Sequence, residues 1–225
     1  MLVSAIMVTG KHACRRSFSL AAIRCFLEQT HPDKELVIIN GGGPPLCSAH
    51  PEVREIVVPV GSDVTLGDLR NIGLEQARGD LIIQWDDDDW HHPRRMEFQT
   101  SAWEPGTAVL LRQQIRYSTL NNAAFVCQRA NGIEGTILHE RARHLRYPSW
   151  RLSEDTHFLN LFARRRVVQT SPLVYVRFFH GANTWDAKHI MGKHIGPAAQ
   201  GQWALSSREC ALLRFVLAEY YLLKT

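Results

Sequence analysis

Apolar and polar positions alternate along the first ninety residues in the order expected of strands and helices that follow one another. Short apolar runs typical of buried strands lie at residues 2–8, 35–39, 55–59 and 80–85. Leucine and isoleucine recur at helical spacing over residues 17–29 and 65–77. This strand–helix–strand order predicts an α/β fold with a mostly parallel, doubly wound central sheet flanked by helices.

The pattern is looser after Pro93. Helices are expected at residues 94–103, 154–163 and 206–223, and strands at 108–117, 123–127, 136–139, 167–168 and 173–179. Ser153 is expected to cap the middle helix, which has acidic residues in its first turn. No internal repeat, linker or low-complexity tract interrupts the chain, so we expect a single domain.

The composition is that of an ordinary globular protein and does not indicate a nucleic-acid-binding one. The chain has 225 residues, of which 45% are apolar and 21% charged, as in ordinary globular domains. Its net charge of +4 weakly favours an anionic ligand but falls short of indicating nucleic acid. Each of the arginine clusters is expected on a solvated helix face; they are Arg15-Arg16, Arg94-Arg95, Arg141/Arg143/Arg146 and Arg164-Arg165-Arg166.

Cysteine use and hydropathy bear on the compartment. The five cysteines are scattered without a CxxC pair, so neither a disulfide framework nor a zinc site is predicted, and reduced thiols in the cytoplasm are expected. The apolar start of the chain is too short for a signal peptide and is interpreted as the first strand. No apolar run is long enough to span a bilayer, so any membrane contact would be peripheral, at the inner face.

The segment with the strongest chemical signal is Gln84-Trp85-Asp86-Asp87-Asp88-Asp89-Trp90. Four consecutive carboxylates repel one another unless a cation lies among them. Here they follow a buried-looking strand, at the edge where open α/β sheets place their ligands. This context favours a divalent-metal or metal–phosphate site over a solvated acidic turn.

Several spaced motifs, over roughly residues 2–185, resemble those of the family 2 glycosyltransferases, which have the GT-A fold. The quoted segments are Val8-Thr9-Gly10, Gln29-Thr30-His31-Pro32, Arg70-Asn71-Ile72-Gly73, Ala77-Arg78-Gly79-Asp80, Asp86-x-Asp88 and Glu154-Asp155. The resemblance implies a nucleotide-binding half at about residues 1–92 and an acceptor half at about 93–200, together forming one GT-A domain. Residues 201–225 would form a C-terminal helix packed on that domain or at a dimer interface.

The resemblance also implies a donor site. Its expected members are Thr9, Asn40, Gly41, Arg70, Asn71, Asp87, Gly135 and Arg177. The chain departs from the family at Asn40-Gly41-Gly42-Gly43, where an Asp-Asp-Gly-Ser loop is usual, and this departure leaves the nucleotide open. Asn40 could hydrogen-bond a uracil or ribose edge through its amide.

Metal and base roles follow from the same resemblance. Asp86, Asp88 and His180 would hold Mn²⁺ or Mg²⁺ on the diphosphate, with Asp89 supporting the ligands from behind. His91 and His92 are expected only to cover the acidic loop. Asp155 would take the proton of the acceptor hydroxyl, and Glu154 would orient the acceptor or a loop. Without a catalytic role, the two acids would merely complete a helix cap.

The predicted activity is metal-dependent, inverting transfer of a sugar, from a UDP-sugar by default, to an acceptor hydroxyl in glycan or polysaccharide biosynthesis. Two alternatives stay open: a non-catalytic nucleotide-sugar-binding module of the same fold, and a nucleotidyltransferase. For the latter, Thr9-Gly10-Lys11-His12 is a poor version of the usual basic, glycine-rich loop. The acceptor, whether a glycan or a lipid-linked group, is not readable from the sequence; nucleic acid is not expected, and a homodimer stays open.

Overall fold

The computed structural model describes residues 1–12, 15–46, 49–59, 61, 63–183 and 202–221, with side chains at 202 and 203 left aside. In chain order the first half contains β1 (Val3–Gly10), α1 (Arg15–Leu27), β2 (Lys34–Gly41), β3 (Val53–Val57), α2 (Leu66–Gln76), β4 (Leu81–Gln84), β5 (Trp90–His91) and α3 (Arg95–Ser101). The second half contains β6 (Thr107–Leu111), β7 (Gln113–Ser118), β8 (Ala124–Gln128), β9 (Leu138–Glu140), α4 (Glu154–Leu159), β10 (Arg164–Val168), β11 (Tyr175–Phe179), β12 (Gln202–Trp203) and α5 (Ser207–Tyr221). Single 3₁₀ turns lie at Glu134–Thr136 and Pro172–Val174.

The central sheet has seven strands in the order β10-β6-β9-β4-β1-β2-β3. Every neighbouring pair is parallel except those that involve β9, which runs antiparallel between β6 and β4. The middle strands β1, β2 and β4 are almost wholly buried because helices cover both faces. The mostly parallel α/β sheet predicted from the sequence is confirmed.

A second sheet of five strands, in the order β12-β8-β7-β11-β5, was not predicted. The single strand expected over residues 108–117 is wrong: it divides at Arg112 into β6 in the central sheet and β7 in the second sheet. Arg112 donates its backbone N–H to the Val168 carbonyl at 2.9 Å, so it marks the point where the chain changes sheets. Apolar periodicity does not detect such a crossing because the residues on both sides are buried.

Two further elements differ from expectation. The helix expected over residues 154–163 ends at Leu159, and the chain then enters β10. Ser153 does precede that helix, but its backbone is left-handed (φ 62°) and its hydroxyl makes no capping hydrogen bond. By contrast, Thr65 forms a complete capping box with Asp68 at the start of α2.

Helix α5 packs against α1 and the edge of the core. Leu213 and Val216 are buried in the main apolar cluster, and the Tyr221 ring lies 5.4 Å from Phe18 and 4.5 Å from Phe178. Arg24 on α1 donates to the Glu219 carbonyl at 2.9 Å. The division of the chain into a nucleotide half and an acceptor half stays a prediction. No helix in the described ranges has both the length and the hydropathy to cross a bilayer.

Glycine at position 67 is required by a close approach between α2 and the segment before α4. A Cβ at this position would lie 1.9 Å from the Pro148 carbonyl oxygen, and the Gly67 N–H donates to the Trp150 carbonyl at 3.1 Å. We expect Gly67→Ala to lower the free energy of unfolding by about 1–3 kcal/mol, measured by urea denaturation, because the two segments must separate. Gly61→Ala is the control, since its Cβ would meet no described atom within 4 Å; equal losses would contradict the packing argument.

Candidate active site

A cleft opens where the carboxyl ends of β1 and β4 meet the first turns of α1, α2 and α4. It is lined by Val8, Thr9, Gly10, His12, Arg15, Val64, Thr65, Leu66, Leu69, Arg70, Asp86, Asp87, Asp88, Arg151, Glu154, Asp155, Arg177 and Asn183. Open α/β sheets bind ligands at this edge. The structure therefore brings several of the residues predicted for the site into one cleft: Asp86, Asp87, Asp88, Arg70, Arg177, Glu154 and Asp155.

The four carboxylates of residues 86–89, called here the acidic turn, rest on a rigid base. Trp85 is fully buried and donates its indole N–H to the Ala22 carbonyl at 3.1 Å. His91 stacks on Trp85 with ring centroids 3.8 Å apart and bonds to the Asp86 carbonyl at 3.2 Å. Arg95, also fully buried, contacts His91 and donates to the Gln84 carbonyl at 3.0 Å. His91 thus supports the turn from below.

Asp87 and Asp88 share one cation, Arg15, at the start of α1. The guanidinium donates through Nε to Asp87 at 3.2 Å and through Nη2 to both Asp87 and Asp88, the latter at 3.0 Å. Asp87 also accepts from the Ser19 hydroxyl at 3.1 Å. Burial raises the pKa of Asp87 while Arg15 lowers it, and burial is the larger effect.

Asp88 is held by three donors on one oxygen. Its Oδ2 accepts from Arg15, from His180 Nε2 at 3.2 Å and from Asn183 Nδ2 at 3.1 Å. Burial alone would raise the pKa of Asp88, but Arg15 and His180 outweigh it and hold the pKa at about 2. Asp88 is therefore ionised at every physiological pH.

Asp86 belongs to a partly buried chain of charges that crosses the cleft. Arg70 donates through Nη2 to Asp86 at 3.3 Å and through Nε to Glu154 at 3.1 Å. Burial disfavours the charge on Arg70, yet Asp86 and Glu154 raise its pKa. Burial raises the pKa of Glu154, against the opposing effect of Arg70. Arg70 thus joins the acidic turn to the first residue of α4.

Asp89 points away from the cleft. It accepts from the Tyr175 hydroxyl and from the Phe178 backbone N–H at 3.0 Å, and it is 1% exposed. Burial raises its pKa well above the ordinary value, and the charges of Asp88 and Asp86 raise it further. Asp89 fixes the turn to β11 and fits the supporting role expected of it.

Arg177 lines the cleft but, unlike Arg15 and Arg70, has no carboxylate within ion-pair distance among the described residues. Burial lowers its pKa, whereas the nearby Asp89, Tyr175 and Asp86 raise it by more, so the guanidinium stays charged. Arg177 is half-buried, and a partly buried cation is stabilised when a ligand supplies an anion. Arg177 is therefore the cation in this part of the cleft best placed to receive an anion.

The acidic run does find cations, but they are guanidinium groups of the chain. Arg15, Arg70 and Arg177 surround the turn, so the expectation that Arg15 lies on a solvated helix face is wrong. Arg95, also expected in solvent, is 0% exposed. The sequence reading also missed Tyr175 and Asn183, which bond to the turn. Nothing in the sequence around Arg15, the first residue of α1, indicated that its side chain contacts Asp87 and Asp88.

Three other residues predicted to bind the sugar donor, Asn40, Gly41 and Asn71, lie outside the lining of the main cleft. The Asn40 amide accepts from Gly43 N–H at 2.7 Å and donates to Glu55 at 2.7 Å, so it organises its own glycine-rich loop. Asn71 forms two hydrogen bonds of 2.9 Å with the Tyr147 backbone. Neither side chain, nor Gly41, lines the main cleft. Their roles in donor binding stay predictions, with Asn40 already engaged within the protein.

Thr9 and Gly135 lie close to the turn. Thr9 lines the cleft and its hydroxyl is 3.1 Å from that of Ser19. Gly135 lies beneath Asp86: a Cβ there would be 3.2 Å from Asp86 Oδ2. A side chain at position 135 would therefore crowd a carboxylate of the turn.

Asp155 faces the cleft from the first turn of α4. It is half-buried, and its Oδ1 accepts from the Thr156 backbone N–H at 2.7 Å. Glu154 is buried and paired, so of the two acids Asp155 is the one open to a ligand. The two acids therefore have different contacts: Glu154 forms an ion pair with Arg70, and Asp155 faces the cleft.

The residues present suit a divalent cation only in combination with a ligand. Asp86 and Asp88 offer the hard carboxylate oxygens that Mg²⁺ and Mn²⁺ prefer. Within the described ranges, no group of three or more His, Cys, Asp or Glu side chains is arranged to hold a metal alone. The His180 Nδ1 lies 3.4 Å from the Ala182 N–H, so Nδ1 accepts and Nε2 carries the proton donated to Asp88. The role of His180 as a metal ligand stays a prediction.

Comparisons with known proteins bear on the family and the fold of the chain. The model of the family described as "Glycosyl transferase family 2" matches residues 15–168. The crystal structure of S. aureus TarS 1-349 in complex with UDP-GlcNAc is similar, with TM-score 0.60 and 14% identity, covering 97% of this chain and 66% of that chain. The complex of TarS 1-349 with UDP gives TM-score 0.59 and 15% identity, covering 80% and 61%.

The crystal structure of S. aureus TarS 1-349 is similar to this chain with TM-score 0.57 and 14% identity. The match covers 79% of this chain and 60% of the TarS chain, so this chain spans about 60% of that chain's length. No curated protein matches the sequence. At these identities the likeness to solved structures establishes the GT-A fold.

The buried charge chain predicts a large effect at Arg70. We expect Arg70→Met to lower the free energy of unfolding by about 3–5 kcal/mol, because Asp86 and Glu154 would lose their buried cation. Guanidinium chloride denaturation measures it. The matched control is Arg146→Met, which removes an exposed pair with Glu75 and is expected to cost less than about 1 kcal/mol. Equal losses in both variants would show that Arg70 does not hold the site together.

Proposed function

The chain belongs to glycosyltransferase family 2, and from that membership we propose that it transfers a sugar from a nucleotide-diphosphate sugar to an acceptor hydroxyl. The observation that carries the proposal is the composition of one cleft: Asp86 and Asp88 on one side, the charged Arg177 beside them, and Asp155 facing the same space. Cations and carboxylates so arranged suit a diphosphate leaving group and a hydroxyl nucleophile.

The donor diphosphate would lie between Arg177 and the acidic turn. Arg177 would stabilise the negative charge that develops on the departing nucleoside diphosphate. Asp88 and Asp86 would hold Mn²⁺ or Mg²⁺ together with phosphate oxygens, since the chain alone does not complete a coordination shell. The bound cation would supply further stabilisation of the leaving group. UDP is the default nucleotide, supported by the UDP and UDP-GlcNAc complexes of the structurally similar TarS.

Asp155 would act as the general base. It would accept the proton of the acceptor hydroxyl as the hydroxyl oxygen forms its bond to the anomeric carbon and the bond to the diphosphate breaks. A single displacement of this kind inverts the anomeric configuration. Glu154 would not exchange protons with the acceptor; through Arg70 it would hold α4, and with it Asp155, at a fixed distance from the acidic turn.

The acceptor is proposed to be a hydroxyl of a glycan or of a lipid-linked precursor, with nucleic acid not expected. We place the reaction in the cytoplasm, with peripheral contact to the inner face of a membrane as the arrangement suited to a lipid-linked acceptor. A homodimer through α5 stays open as an assembly.

Two alternatives make distinct predictions. A non-catalytic nucleotide-sugar-binding module would bind the donor without consuming it; the engaged Asn40 amide is the observation that motivates it. A nucleotidyltransferase would release pyrophosphate rather than nucleoside diphosphate. The half-buried acid Asp155, which lines the cleft, favours transfer, because a binding module has no chemical need for it.

Ligand-induced stabilisation tests donor and metal together. We expect UDP with Mn²⁺ to raise the melting temperature more than UDP alone, since a ligand at 100 times its Kd adds about 2.7 kcal/mol to folding. Asp88→Asn should abolish the part of the shift that depends on Mn²⁺, whereas the exposed control Asp33→Asn should keep it. A shift by UDP that is indifferent to Mn²⁺ in the parent protein would contradict metal dependence and leave donor binding intact.

Removal of the proposed base tests transfer. We expect Asp155→Asn to lower kcat by about 10²–10⁴-fold while the Kd for UDP changes little, because the side chain acts on the acceptor and not on the diphosphate. UDP release from a UDP-sugar in the presence of candidate glycan acceptors measures the rate. The NMR coupling constant of the product's anomeric proton reports inversion. An unchanged rate in the variant would remove Asp155 from the mechanism.

A further inference from the structure

We propose that Arg15 is a built-in counter-cation of the acidic turn, and that it disfavours divalent-metal binding until a nucleotide diphosphate occupies the cleft. Arg15 has this positioning role only if the cleft takes a nucleotide-sugar, so the proposal rests on the proposed function. It adds Arg15, a residue outside the spaced motifs quoted above, to the site. It also implies an order of binding, in which the donor and the metal enter together and the metal alone binds weakly.

Arg15 occupies the side of the turn that a cation would approach. Its Nη2 contacts both Asp87 and Asp88, and its Nε contacts Asp87, so one guanidinium bridges two adjacent carboxylates. The Arg15 side chain is 16% exposed and lines the cleft. A full positive charge 3.0 Å from Asp88 Oδ2 repels a divalent ion at either oxygen of that carboxylate.

Asp88 Oδ2 has no free capacity in this state. It accepts from Arg15, His180 and Asn183, and a carboxylate oxygen has about two lone pairs to offer. A metal that bound through this oxygen would have to displace one of the three donors. The exchange is favourable only if the displaced donor finds a new anionic partner.

Of the three donors, Arg15 is the one able to move. The His180 side chain is 4% exposed and its ring stacks on Phe18 at 4.5 Å. Asn183 is tied twice more, donating to the Phe178 carbonyl at 2.9 Å and accepting from the His180 N–H at 2.9 Å. Arg15 faces the cleft at the first turn of α1 and keeps Asp87 as an anchor when it releases Asp88.

A diphosphate would change this balance in two ways. Its oxygens would give the Arg15 guanidinium a charge-assisted partner in place of Asp88. They would also contribute ligands to the metal, which the chain lacks. Hence Arg15 would hold Asp88 in place while the cleft is empty, and would transfer to the diphosphate when the donor arrives.

Titration of Mn²⁺, followed by electron paramagnetic resonance of the free ion, tests the proposal on the full chain. For the parent protein we expect Mn²⁺ to bind at least about tenfold more tightly with saturating UDP than without it. Arg15→Gln, folded as judged by circular dichroism, should bind Mn²⁺ without UDP at least about tenfold more tightly than the parent protein. Arg15→Lys, which keeps the charge, should stay close to the parent.

The matched control is Arg16→Gln, the same change of charge one residue along α1, where the guanidinium donates to the Pro45 carbonyl and contacts none of the four aspartates. It should leave Mn²⁺ binding unchanged. If Arg15→Gln does not fold, Arg15→Met retains the apolar stem for the same titration.

The outcomes separate this proposal from the proposed function. Equal Mn²⁺ affinity of the parent protein with and without UDP, or no gain in a folded Arg15→Gln, would overturn the role of Arg15 and leave sugar transfer standing. Binding of UDP without any Mn²⁺ uptake in any variant would overturn metal dependence itself, and the role of Arg15 with it.

Discussion

The structure depends on how four adjacent carboxylates are neutralised inside a protein. Residues 86–89 bring four acids to the end of a buried strand, where their mutual repulsion would unfold the turn if nothing opposed it. Three guanidinium groups oppose it from three directions: Arg15 from α1, Arg70 from α2 and Arg177 from β11. The fourth acid, Asp89, is turned inward and satisfied by Tyr175 and a backbone N–H.

This neutralisation also determines what the cleft can do. In this structure Arg15 and Arg70 pair with carboxylates of the site, while Arg177 has no carboxylate at ion-pair distance among the described residues. Arg70 joins Asp86 of the acidic turn to Glu154 at the start of α4, so the two walls of the cleft are linked by one side chain. A transferase needs a fixed distance between the leaving group and the base that activates the nucleophile.

Much of this could be predicted from the sequence, and what could not has physical reasons. The strand–helix alternation predicted the central sheet, and the spaced motifs predicted that Asp86, Asp88, Arg70, Arg177 and Asp155 would meet. The second sheet was missed because β6 and β7 are both buried and read as one strand. Arg15 was missed because its partners lie more than seventy positions away, and an arginine near a helix start is equally compatible with solvent. The hydrogen bonds that the Asn40 amide makes to Gly43 and Glu55 could not be predicted, because they depend on how the glycine-rich loop folds.

Anomalous diffraction at the manganese edge, from crystals soaked with UDP and Mn²⁺, would test the central claim most directly. The account predicts a manganese peak at about 2.0–2.3 Å from an Asp88 oxygen and from diphosphate oxygens, with Arg177 on the diphosphate and Arg15 withdrawn from Asp88. A UDP molecule bound away from the acidic turn, or a diphosphate that leaves Arg15 on Asp88 and Arg177 without contact, would contradict it.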